Sequence, residues 1–139
     1  MNIILKESKT GWVKVSDEIS ILVDYLTIEQ ESKLKQILYE VGFMPDLDLN
    51  NTDSLNPENK AKLMTLNEKY YKLFIKYTIK DWQGVRNSNG QDVEFRLVKN
   101  EMDSGLWESL CRSLTVTNLY ELVSIIKKEI EFTEADKKK

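Results

Sequence analysis

Enzymatic chemistry in this 139-residue chain would have to work without imidazole, because the sequence contains no histidine. That removes Ser-His and Cys-His nucleophile pairs, the usual Cys/His zinc sites and the commonest near-neutral proton shuttle. The single cysteine, Cys111, cannot form an intrachain disulfide, and its place in "LWESLCRSL" fits a small buried side chain in a reducing compartment. Asp46, Asp48 and Asn50 in "DLDLNNTDSLNPE" have the spacing of a calcium loop. However, Asn51 stands where the sharp-turn glycine belongs and Pro57 where the bidentate glutamate belongs, so the loop is read as a connector. "GVRNSNG" at 84–90 lacks the Lys-Ser/Thr ending of a phosphate loop and does not open onto a helix. Lys69, Lys72, Lys76 and Lys80 recur at three- and four-residue steps, as a phosphate-binding ridge or as the solvated edge of a helix. The net charge of −3 favours the edge. The acidic residues sit mainly on expected polar faces, so no catalytic residue, cofactor or metal is expected.

The elements that would position any site follow from hydrophobic period and punctuation. "GWVKVSDEISILVDYL" alternates apolar and polar residues on both sides of "SDE", which predicts a β-hairpin over 11–26. Thr27 and Gln30 have capping-box spacing and open a helix over 28–41, carried by Leu34, Ile37, Leu38 and Val41 and closed by Gly42. After the Asp- and Asn-rich connector, Asn56 and Pro57 start a helix over 57–80. Its apolar residues Leu63, Leu66, Tyr70, Leu73 and Tyr77 are widened by Tyr71, Phe74, Ile75 and Ile79, an arc broad enough for a central helix. Gly84 then ends that helix, and "NSNG" predicts a short hairpin segment over 82–95, with Trp82 as an apolar peg and Trp82, Gly84 and Gly90 as its scaffold. Two more helices span 104–131, capped by Asp103 or Ser104 and by Thr117, and the apolar-poor tail 132–139 is expected to fray. The expected fold is one α+β domain, an N-terminal hairpin and a short central hairpin packed on a bundle of about four helices.

At 41% apolar and 31% charged residues, the composition suits a soluble single domain, and the acidic balance gives no electrostatic case for nucleic acid. The apolar run before Lys6 is too short for a signal-peptide core, and no stretch approaches a membrane span, so a cytosolic protein is expected.

One segment resembles a known family. "IKDWQGVRNSNGQDVEF", at 79–95, followed by "LYELVSIIKKEI" and a lysine-ended tail, resembles small proteins encoded near siphophage tail genes, tail assembly chaperones among them. The matching positions are Ile79, Asp81, Trp82, Gly84, Val85, Asn89, Gly90 and Phe95. Glu94 replaces a frequent proline, and Asn89 replaces the usual aspartate. The resemblance implies a non-enzymatic protein of the host cytoplasm that binds a helical phage tail protein, tape measure or tail tube, with homo-oligomerisation possible. Trp107, Leu119, Leu122 and Ile126 are the expected partner-binding face if that stripe is exposed, and plain core against the 57–80 helix if it is not. The alternatives are a structural virion component, such as a head–tail connector or tail-completion protein, and a small nucleic-acid-binding regulator using the lysine strip.

Overall fold

Nine elements follow one another in the computed structural model, which describes Ile3 and residues 11–40 and 57–137. They are β1 (Gly11–Lys14), β2 (Ser20–Val23), α1 (Ile28–Glu40), α2 (Pro57–Thr78), β3 (Ile79–Gln83), β4 (Leu97–Val98), β5 (Glu101–Met102), α3 (Ser104–Ser113) and α4 (Val116–Lys137). The fold is α+β: an antiparallel three-stranded sheet in the order β1-β2-β3, a separate β4–β5 ribbon and the helices. No helix among the described residues is long and apolar enough to cross a membrane.

The N-terminal hairpin forms as its alternation requires, with Val13 opposite Ile21 and Gly11 opposite Val23. Its third strand was not expected. The 57–80 helix stops at Thr78, because Ile79 leaves the helix to pair with Val23, and the chain passes from α2 into β3 with no loop between. Thr78 sits at the junction, its hydroxyl donating to Phe74 O at 2.8 Å and its carbonyl accepting from Asp24 N at 3.0 Å. The ladder pairs Leu22 with Asp81 and Val23 with Ile79, so Lys80 is an extra residue on β3. Ile79 and Trp82, three apart, would point to opposite faces of a regular strand. The bulge turns both inward, and both are buried.

The expected short hairpin is present over 85–93, with Asn87 N also donating to Gln91 O at 2.9 Å, and only its start is corrected. Trp82 belongs to a strand paired with β2, and residues 85–93 form a loop closed by Val93 N donating to Val85 O at 2.8 Å and a single Arg86–Asp92 bridge. The β4–β5 ribbon turns through Lys99 and Asn100, both in the left-handed region at φ 52° and 65°. Because neither residue is glycine, the usual hairpin signal was missing.

Helix boundaries obey local chemistry. Thr27 N donates to Gln30 Oε1 at 3.0 Å and Gln30 N to Thr27 Oγ1 at 3.1 Å, closing the capping box that opens α1. Pro57 is the first residue of α2. Asp103 caps α3 by accepting from Leu106 N at 3.2 Å. Thr115, not Thr117, caps α4: its hydroxyl accepts from Asn118 N at 3.1 Å, which starts the helix at Val116. The tail expected to fray from 132 is helical as far as Lys137, since "TEADK" has no glycine or proline and several strong helix formers. Val41, Gly42, the connector with Asp46, Asp48 and Asn50, and Asn56 lie outside the described residues.

α2 is central, with α1 and α4 packed on it and the sheet and β5 at its C-terminal end. Leu34 and Ile37 from α1 meet Leu63, Leu66, Phe74, Ile75 and Tyr77 from α2 in one cluster with Leu119, Leu122, Val123 and Ile126 from α4. Ile75 is 0% exposed, whereas Leu73 is only half-buried. Ile75→Ala is therefore expected to cost about 2–5 kcal/mol in a urea titration, and Leu73→Ala clearly less. Equal losses would contradict the placement of α2.

Candidate functional site

The segment that carries the family resemblance is a structural bracket. Trp82 packs its buried ring in a T-shaped pair with Phe95, with centroids 5.0 Å apart at 77°, and its indole N–H donates to Val93 O at 2.7 Å. That bond satisfies the one polar atom of a buried tryptophan and fastens β3 to the returning strand of the loop. Gly84 follows at φ 83°, and a Cβ there would sit 1.8 Å from Glu18 O in the β1–β2 turn. Both the backbone angle and the close approach demand glycine. Gly90 also has positive φ, at 77°, but faces open space, so only its conformation matters. Between them Asn87 ties the loop from within, its side-chain oxygen accepting from Asn89 N at 3.0 Å and from Gln91 N at 3.1 Å. Trp82, Gly84 and Gly90 thus have structural roles, but Gly84, expected to end the helix, instead follows β3, because the chain from Ile79 to Gln83 pairs with β2.

The expected partner-binding stripe is corrected. Leu119, Leu122 and Ile126 are 2%, 7% and 0% exposed and form core against α2, because an apolar stripe at helical period faces the nearest apolar neighbour. Trp107 is separated from them on α3. It is half-buried, its indole N–H donates to Lys72 O at 2.7 Å, and Lys76 Nζ lies 5.0 Å from its ring centre. The four residues do not form one exposed face.

The lysine strip is not a free basic ridge. Lys76 pairs with Glu101 at 3.8 Å and donates to Ser104 Oγ at 3.4 Å, and Lys80 donates to Asn100 O at 2.6 Å. Burial pushes the Lys80 ammonium below the usual lysine value, with Asp24 and Glu101 acting against it. Cys111, expected to be buried, is only half-buried, and burial raises its thiol despite nearby Lys72, which disfavours the thiolate. No group of three or more His, Cys, Asp or Glu among the described residues is placed to hold a metal ion.

Among the described residues, two places combine aromatic and charged side chains beside α2. One is an open cleft of about 570 Å³ between α2 and α4, lined by Tyr71, Tyr120 and Ser124 and floored by Val123. Lys127 stands at its end, over the rings of Tyr71 and Phe74 at 5.3 and 5.7 Å, and divides it from a second hollow of about 290 Å³ beside Tyr25 and Ile130. Sequence reading passed over these residues, although Tyr120, Ser124 and Lys127 share one helical face beside the buried stripe. The other surface is the side of α2 beneath α3, around Lys72 and Lys76.

Gly84→Ala is expected to lower the denaturation midpoint sharply, and Trp82→Phe to cost about 1–3 kcal/mol by leaving Val93 O unpaired. A neutral Gly84→Ala would contradict the close approach to Glu18. The pH dependence has a definite sign. Burial raises Tyr70, Tyr71, Tyr77 and Tyr120 above their usual 10.0, so the neutral phenols stabilise the fold, fully below 10.0 and decreasingly as pH rises through their folded-state values. Equilibrium unfolding against pH should show stability falling above pH 10.0, and tyrosinate absorbance of the folded protein should rise later than that of the unfolded chain. Among protein-family models, curated proteins and solved structures, nothing matches this chain.

Proposed function

We propose that this chain is a non-catalytic, tail-assembly-chaperone-like protein that binds a helical phage tail protein, the tape measure or the tail tube, in the host cytoplasm. The observation that supports this reading is the geometry of the resembling segment. Trp82 needs a ring to fill the interior and an N–H to meet Val93 O, and Gly84 needs to lack a Cβ. Residue types fixed by such constraints make a signature of shared architecture, whereas chance agreement on exposed residues would carry no such reason.

The chemistry agrees with a holding role. Burial holds the lone thiol above its usual value, and the cationic side chains Lys76 and Lys80 are committed to partners within the domain. Aromatic and amphipathic surface remains beside α2, the kind of surface that takes an amphipathic helix.

Co-expression with the tape-measure protein of the same genome is the test. Wild-type protein is expected to raise the soluble fraction of that client several-fold and to co-purify with it as a small discrete complex. An insoluble client, together with closed rings formed by this chain alone, would replace the chaperone reading with that of a virion component.

A further inference from the structure

α3 is the one helix among the described residues with no buried residue, although it is the most amphipathic of the four. Leu106, Trp107, Leu110 and Leu114 lie half-buried against the main cluster. Its polar attachments gather on one face of α2: the indole N–H of Trp107 on Lys72 O, and Lys76 reaching both the Trp107 ring and Ser104 Oγ. Lys72 lies well inside α2, so one lone pair of its carbonyl already serves the helix ladder and the indole uses the other. Losing α3 would leave no backbone group of α2 unsatisfied there.

The flanks of α3 are built differently from its middle. Met102 before it and Leu119 after it are buried anchors. Before the helix stands Asp103, at φ −50° and ψ 134°, which stays fixed to Arg96 by its N–H on Arg96 O at 2.9 Å and its carboxylate 3.6 Å from the guanidinium; after it, Leu114, at φ −89° and ψ 132°, and Thr115 lead into α4, whose fourth residue is Leu119. A ten-residue helix with two extended joints can leave its seat without disturbing either anchor, and such short helices are marginal on their own.

We propose that α3 is a displaceable strap, and that its seat on α2 around Lys72 and Lys76 is where the helical client binds. This rests on the tail-assembly reading above. The resident helix defines the occupant: an amphipathic helix with an aromatic N–H donor and leucine-like residues one and two turns along, without cations on the face that meets Lys72 and Lys76. Tethering gives α3 an effective concentration on the order of millimolar, so a longer client helix wins and a short stray peptide does not.

Hydrogen exchange on the full chain, together with binding of a fluorescein-labelled peptide of residues 103–115, tests the proposal. Amides of α3 are expected to exchange at least about 100-fold faster than those at the centres of α2 and α4, through local opening. Trp107→Phe, which keeps the ring and removes the donor, should speed α3 exchange without changing that of α2 and α4, and Trp107→Ala should do so more strongly. The peptide should bind the Trp107→Ala protein at least about 10-fold more tightly than wild type, and a peptide with alanine in place of its tryptophan should not bind. Exchange of α3 in step with α2 and α4, or equal peptide affinity for both proteins, overturns the strap even if the client is held in co-expression. If the strap opens and the peptide binds, yet a soluble helical tape-measure fragment fails to displace it, the seat is not the client site and that half of the proposal falls.

Discussion

Ile79 and Trp82 can both face the interior only because Lys80 is an extra residue on β3, and most of the architecture hangs on that bulge. Because Ile79 enters the sheet directly after Thr78, the central helix α2 and the sheet are one continuous piece of chain. Trp82 then reaches Val93 and Phe95, which carries the loop back over the sheet edge, and Gly84 lets the strand end press against the Glu18 carbonyl. Lys80 itself is turned away from the core to meet Asn100 O, which ties the bulge to the tip of the β4–β5 ribbon. One inserted residue thus couples the helix, the three-stranded sheet, the loop and the ribbon.

Stability is distributed unevenly around that junction. The main apolar cluster holds Leu63, Ile75 and Ile126 fully enclosed, while α3 rests on its seat through half-buried side chains, the Trp107 indole bond and the contacts of Lys76 with Ser104 and the Trp107 ring. Local opening favours segments with few enclosed contacts. α3 on α2 sets such a segment beside a more densely packed body, the arrangement on which the proposed strap rests.

Much of this could be read from residue types. The Thr27–Gln30 box, Pro57 at a helix start, the Asp103 cap and the wide apolar arc of α2 each have a local cause that survives folding. Gly84 was legible as a residue with special backbone freedom, but at a helix end rather than after a strand, and the Glu18 carbonyl that enforces it was not legible. What could not be read depends on partners distant in sequence. Ile79 fits the helical period of α2 as well as the strand period of β3, and only pairing with Val23 decides between them. The Lys99–Asn100 turn lacks a glycine, so its strand pair carried no signal. The stripe of Leu119, Leu122 and Ile126 had the spacing of either a core or a docking face, and burial against α2 made it core. The candidate site moved accordingly, from that stripe to the seat of α3, which is visible only once Trp107 and Lys72 are known to meet.

The most direct measurement is a residue-resolved hydrogen-exchange difference map of the wild-type chain with and without a soluble helical fragment of the tape-measure protein. Binding at the seat predicts lost protection in α3, residues 104–113, with protection retained or gained in α2 around Lys72 and Lys76. Protection gained at the α2–α4 cleft around Tyr71 and Tyr120, with α3 unchanged, would contradict it.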